Sequence, residues 1–233
     1  MIARLDAFAA ASILTIALTL SACAEFWSDD GAHARDIVTR AEATVSRFKT
    51  SQEIKFKEFR KFLPDALAVV ILPTVVKAGF IGGAEGGSGV FLVKRADGAW
   101  SYPAFYTLAA GSVGLQLGIQ GTEVVLVIRR EKAIEAVLKH QAKLGADFGV
   151  TVGVFGGGME ASTTANLGPD ILAFANSIIG AYGGITLEGA ALVRRGDLNQ
   201  AYYGVPAAPR AIVIDGSFKN AGADALRAAL AGP

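Results

Sequence analysis

The chain has 233 residues, 52% of them hydrophobic, and a formal net charge of +1 at pH 7. That length supports one substantial core or two small ones, and the near-neutral balance gives no electrostatic case for nucleic acid as a partner. One cysteine excludes an internal disulfide framework and a thiolate metal site, and His33 and His140 are too few and too far apart in sequence for a histidine metal cluster.

The N-terminus reads as a secretory leader over residues 1–22. Arg4 supplies a small positive start, weakened by Asp6, and Ala7 to Leu20 is apolar apart from Ser12, Thr15 and Thr19. As a helix this stretch would rise about 21 Å against roughly 30 Å of bilayer hydrocarbon, so it is expected to be removed rather than to span. Leu20-Ser21-Ala22-Cys23 resembles a bacterial lipobox and holds the sole cysteine of the chain. Cys23 is therefore the expected lipid attachment point, with residues 23–33 a lipidated tether and 34–233 the folded domain. An ordinary signal peptide followed by a stray cysteine is the competing reading. Three acyl chains would make anchoring nearly irreversible. Ala24 after the cysteine, in place of an aspartate, favours by resemblance the periplasmic face of a bacterial outer membrane.

From Ala34 to about Leu63 the pattern is helical: Ile37, Ala41, Val45 and Phe48 recur at spacings of four and three, and a second helix restarts near Ser51. Lys49, Lys55, Lys57, Arg60 and Lys61 interleave with Phe48, Phe56, Phe59 and Phe62. Such a basic amphipathic stretch can lie in a membrane interface, cations at the phosphates and rings among the acyl chains. A surface helix that packs its phenylalanines on the core has the same pattern, and the residues alone favour that reading.

After Pro64 the period changes to two. Strand-like runs are Leu67 to Val76, Ser88 to Lys94, Ser112 to Gln120, Val124 to Ile128, Phe148 to Phe155 and Ile185 to Val193, punctuated by glycines and by Asp97-Gly98. Glu131 to Leu144 is expected as an amphipathic helix and Ala221 to Leu230 as a last short one. The fold class is α+β: one domain with a strand-rich antiparallel sheet or closed β core, an N-terminal amphipathic helix and one or two further helices. Gly98 to Thr122 carries no charge, but Pro103, its glycines and the alternation argue against a membrane helix. An outer-membrane barrel is the stronger competitor. The pairs Lys94-Arg95, Arg129-Arg130 and Arg194-Arg195, which cap short strands as in water-exposed sheets, argue against it.

Motifs for chemistry fail. Gly82 to Ser88 has the outer spacing of a phosphate loop with Ser88 where the lysine belongs, and Gly86-Gly87-Ser88-Gly89 is not a nucleophile elbow because Val90 stands at the second glycine. No His-Glu pair has metalloprotease spacing. His140 beside Lys139 and Lys143 reads as a solvated helix residue, and nothing in the sequence brings the carboxylates Glu85 and Glu160 together. No catalytic residue, metal or cofactor is expected, so the chain reads as a non-enzyme. Were it an enzyme, His140, Glu85 and Glu188 would be the residues to test.

Separated motifs are similar to those of the SYLF domain family of lipid-binding modules. They are Lys77-Ala78-Gly79-Phe80, Gly87-Ser88-Gly89-Val90, Asp97-Gly98, Trp100-Ser101-Tyr102-Pro103, Gly111, Gly114, Gln116-Leu117-Gly118, Leu144-Gly145-Ala146, Leu187-Glu188-Gly189 and Tyr202-Tyr203-Gly204. Order and spacing match over about residues 35–205. The resemblance implies a single α+β domain that binds acidic lipids, phosphoinositides in eukaryotic members, some of which also bind actin. It raises the membrane reading of Lys55, Lys57, Arg60 and Lys61. Behind a leader and lipobox, the implied ligand is a bacterial anionic phospholipid or a lipopolysaccharide component. The glycines between Gly79 and Gly89 read by themselves as bends, bulges or a close approach of another backbone rather than a ligand cradle, and Trp100, two residues from Tyr102, reads as core. The alternative function is a structural or host-interaction lipoprotein without a small-molecule ligand.

Overall fold

The computed structural model describes residues 29–79, 82–113, 118–139, 141–143, 152–155, 170–179 and 190–232. Helix α1 (Asp30–Thr50) starts inside the stretch expected as a tether, because Asp29 caps it: its Oδ1 accepts from the Gly31 amide at 2.9 Å. Ala34, Ile37, Val38, Ala41, Val45 and Phe48 form its buried stripe. Helix α2 (Ile54–Phe62) follows, and its Phe56 and Phe59 are as fully buried as Phe48.

The strands are β1 (Ala68–Gly79), β2 (Gly82–Val93), β3 (Ala104–Val113), β4 (Gly118–Ile128), β5 (Gln141–Lys143), β6 (Val152–Phe155), β7 (Ile171–Ile179) and β8 (Ala191–Arg194). Between β4 and β5 lies α3 (Glu131–Leu138); after β8 come α4 (Gly196–Tyr203), α5 (Pro209–Val213) and α6 (Asp224–Ala231). The sheet order is β5, β8, β3, β2, β1, β4, β7, β6. All neighbours are antiparallel except β6 and β7. The sheet is open, with β5 and β6 as its edges among the described residues, so of the two arrangements expected it is the antiparallel sheet and not the closed β core. The fold class is α+β in a single domain.

Helices cover both faces. Val69, Ile71, Leu92, Phe105, Val125, Val127 and Phe174 pack under α1, α2, α4 and α6, whereas Val70, Leu72, Phe91, Tyr106, Leu126 and Ala173 pack under α3 and α5. Burial on both sides explains why Ala68–Leu72 and Val124–Ile128 read as unbroken apolar runs. It also hides Ile171–Ile179 from a search for alternation, so β7 was not foreseen.

Two further expectations change. The alternating run from Ser112 to Gln120 is not one strand: Val113 ends β3, Gly118 opens β4, and β1 and β2 lie between them in the sheet. The helix expected to reach Leu144 stops at Leu138, Lys139 turns extended, and residues 141–143 join the sheet as β5. Helices α4 and α5 exceed the one or two further helices expected. Among the described residues no helix is long and apolar enough to cross a membrane.

One irregularity sets the face of everything beyond it. Against β4, Leu72 pairs with Val124 and Val75 with Thr122, so β1 carries one extra residue around the buried Pro73. The parity of β1 inverts there. Val75 joins the core under α3 and α5, Val76 is left 41% exposed on the other face, and Lys77 points to the same side as Val75.

Candidate functional site

Of the five cations expected at an anionic surface, two are engaged inside the fold. Lys49, in the last turn of α1, donates from Nζ to the carbonyl oxygens of Ala229, at 2.7 Å, and Gly232, closing the C-terminal end of α6. Burial holds its ammonium below the ordinary lysine range. Arg60 Nη1 donates to the carbonyls of Phe48 (3.3 Å), Lys49 (3.2 Å) and Ser51 (2.6 Å), capping the end of α1. Lys57 and Lys61 are exposed, Lys61 lying 3.6 Å from Glu58, and Lys55 lies in the same helix α2.

The phenylalanines of this stretch are not available to a bilayer. Phe48 stacks on Phe56 (4.6 Å) and edge-on to Phe59 (5.4 Å), which in turn meets Phe174 of β7 at 5.6 Å. Each buried ring is worth about 2 kcal/mol of transfer free energy, so the apolar face of the helix is spent on the sheet. This corrects the picture of rings among acyl chains for Phe48, Phe56 and Phe59. Phe62 alone of the four is half-buried.

The residues carrying the family resemblance are also mostly architectural. A Cβ on Gly87 would lie 2.2 Å from the Thr74 carbonyl oxygen, and one on Gly89 would lie 2.1 Å from that of Ile71. The bulged backbone of β1 therefore lies against these two positions, a close approach of chain and not of ligand. Gly79 pairs with Gly118 across β1 and β4. Lys77 Nζ lies 2.8 Å from Oε1 of the buried Glu85. The Ser88 hydroxyl shares a 2.9 Å hydrogen bond with Thr107, and Arg195 Nη1 donates to both oxygens at 3.2 and 3.3 Å. Arg195 also grips Asp197 through Nε and Nη2, and this hydrogen bonding holds the Asp197 carboxyl below its ordinary range. Trp100 is buried, with its carbonyl accepting from Arg227 Nε at 2.9 Å, and the Pro103 carbonyl accepts from the Tyr203 hydroxyl at 2.7 Å. Cys23, Phe80, Gln116, His140, Glu160 and Glu188 lie outside the described residues, as do the motifs at 144–146 and 187–189.

The topology creates a surface that the sequence only hinted at. Strands β2 and β4 run in one direction and both end level with Ala68, so Lys94-Arg95 and Arg129-Arg130 meet the same end of the sheet, whereas Arg194 pairs with Tyr106 and so stands level with Gly89, short of that end. From β2 to β4 there are two strand spacings, about 10 Å in width. Leu67 is bracketed there: its amide donates to the Ile128 carbonyl and its carbonyl accepts from the Lys94 amide, both at 2.8 Å. Lys61 Nζ and the Arg129 guanidinium lie 5.2 and 5.4 Å from the Phe62 ring centre, and Lys94 Nζ donates to the Pro64 carbonyl at 2.9 Å. Not all the charge is available: Arg195 turns inward to Ser88 and Thr107, and Lys132 nearby pairs with the buried Asp170 at 3.1 Å.

A family model described as "Ysc84: Las17-binding protein actin regulator" matches residues 109–232, from within β3 to the end of α6. The chain belongs to the Ysc84 (SYLF) family. The SYLF match takes in β4, β7, the dibasic ends of β4 and β8 and the C-terminal helices, while the motifs at residues 77–103 precede it. The chain is 34% identical over 131 residues to "SH3 domain-containing YSC84-like protein 1" of Rattus norvegicus, covering 56% of this chain and 38% of that protein. It is 32% identical over 133 residues to "Protein YSC84" of Saccharomyces cerevisiae, covering 56% of this chain and 28% of that protein. The chain thus spans well under half the length of these relatives.

Proposed function

We propose that this chain is an envelope lipoprotein, anchored through Cys23 at the periplasmic face of a bacterial outer membrane, whose SYLF domain binds anionic lipid without catalysing a reaction. The observation that carries this reading is the meeting of two dibasic pairs, Lys94-Arg95 and Arg129-Arg130, at one end of the sheet, next to the exposed Lys57 and Lys61 of α2. Near an anionic bilayer each such cation contributes on the order of 1 kcal/mol, so four or five outward charges suffice for micromolar attachment once the anchor has removed most of the association entropy. The lipobox supplies the anchor in this reading.

Sedimentation of the full chain carrying Cys23→Ser with vesicles of phosphatidylcholine, alone or mixed with phosphatidylglycerol, tests it. Binding should require the anionic lipid and fall as salt rises, because exposed charges are screened over about 10 Å at 0.1 M. Equal sedimentation with both vesicle types would refute the anionic-lipid reading. A protein partner is the second reading, favoured by the family description as Las17-binding and actin-regulating. Retention of this chain by purified actin in the absence of lipid would favour it.

A further inference from the structure

We propose that the connection between α2 and β1, residues 62–67, is where the domain enters the interfacial layer of an anionic bilayer. This rests on the lipid reading above and names its docking point. Leu67 is one of four exposed large hydrophobic residues among those described, at 37%. It sits in the sheet between Lys94 on one side and Ile128-Arg129 on the other, held by backbone hydrogen bonds to both neighbours. An apolar side chain fixed between two cations matches a headgroup layer, where phosphates lie just above the first methylenes.

Phe62, at the other end of the connection, repeats the arrangement with Lys61 and Arg129 near its ring. Leu63 and Ala66 close the turn between them, the Ala66 amide donating to the Leu63 carbonyl at 3.1 Å, and Lys94 Nζ pins Pro64. The segment is therefore presented as a rigid tip that pays little ordering entropy on contact. Charge complementarity selects the occupant. The cations around the tip are Lys61, Lys94 and Arg129, against Asp65 within it and Glu58, which already lies beside Lys61. The amphipathic face of α2 cannot take this role, because Phe56 and Phe59 are buried under the sheet.

The test places an environment-sensitive fluorophore on a new thiol in the Cys23→Ser full chain, at Leu67→Cys or, in parallel, at the exposed Asp65→Cys, with Val76→Cys beyond the β1 bulge as reference. With vesicles containing phosphatidylglycerol, the probe at positions 65 and 67 should shift to the blue and be quenched by brominated acyl chains, while the probe at 76 stays unchanged. Lys94→Gln combined with Arg129→Gln should weaken sedimentation on the order of tenfold. Binding that shifts the probe at 76 and leaves 65 and 67 silent would overturn the docking point while leaving the lipid reading intact. No sedimentation with any vesicle would remove the lipid reading and this inference together. A response at 67 to soluble polyglutamate equal to that given by vesicles would mean that the tip reads charge alone, and would overturn the bilayer as its occupant.

Discussion

A Cβ atom at Gly89 would stand 2.1 Å from the carbonyl oxygen of Ile71, so β1 and β2 meet there more closely than any side chain permits. Gly87 faces Thr74 and Val75 in the same way. The obstructing atoms are backbone held in a ladder, with β4 on the far side, so neither can step aside. Gly89→Ala and Gly87→Ala should each destabilise the domain by about 2–3 kcal/mol in denaturant titrations. Gly111→Ala, where nothing lies within 4 Å of the added methyl, should change stability by less than about 0.5 kcal/mol. Equal effects at Gly89 and Gly111 would mean that the bulge relaxes freely.

Glu123 is a buried carboxylate that holds α1 to the sheet. It accepts from Thr44 Oγ1 at 2.8 Å, from Asn176 Nδ2 at 2.8 Å and from Arg47 Nη1. Glu123→Ala would leave three donors facing an apolar methyl and should cost about 2–4 kcal/mol, less than a fully buried pair because Arg47 is half exposed to water. Thr44→Val removes one donor from a carboxylate that keeps two others and should cost about 1 kcal/mol. Thermal unfolding of the two variants gives the ratio directly.

Buried tyrosines give the domain an alkaline limit. Burial raises the hydroxyls of Tyr106 and Tyr203 well above the ordinary value near 10 and that of Tyr202 to about 12. Above pH 10 the unfolded chain has released these protons and the folded chain has not, so the folded state binds more protons and stability falls with rising pH. Each group can contribute a slope of up to about 1.4 kcal/mol per pH unit between 10 and its folded value. Lys49 acts with the opposite sign, its lowered pKa making stability rise towards pH 10.5, but it is a single, half-buried group against three tyrosines. Urea midpoints measured from pH 9 to 12 should therefore fall steeply. Because the Tyr106 hydroxyl is buried with no hydrogen-bond partner among the described residues, Tyr106→Phe should reduce that slope and leave stability at pH 7 unchanged or higher by up to about 1 kcal/mol.

The sequence revealed elements whose faces differ or whose ends are marked, and hid those decided by neighbours. Ile37, Ala41, Val45 and Phe48 announced α1, and the apolar run Val124–Ile128 announced β4. Strand β7 escaped because Leu172 and Phe174 point to one core while Ile171 and Ala173 point to the other, which leaves no period to detect. Helix α5 begins at Pro209 and lasts five residues, too short for periodicity. Lys94-Arg95, Arg129-Arg130 and Arg194-Arg195 were each visible as strand ends. That the first two meet and the third stops short depends on strand direction and register, which local sequence does not encode. Lys49 and Arg60 looked like surface cations because the carbonyls they cap belong to residues at Ala229 and Gly232, or to a helix end whose position was not yet known.

The two kinds of cation should separate in experiment. Lys49→Gln and Arg60→Gln remove caps from helix ends, so each should lower stability by about 1 kcal/mol and, for Lys49, increase amide exchange along α6. Neither should alter the difference in sedimentation between anionic and neutral vesicles by more than about twofold, since both cations are engaged on the carbonyl oxygens of helix ends. Arg129→Gln with Arg130→Gln, the pair that ends β4, should do the reverse: a loss of anionic-vesicle binding on the order of tenfold at low salt, with the unfolding midpoint little changed. Measuring both quantities on all four substitutions distinguishes charge that builds the domain from charge that meets its ligand. Should the Lys49 and Arg60 variants lose vesicle binding while remaining folded, the basic stretch around α2 rather than the end of the sheet would be the lipid surface.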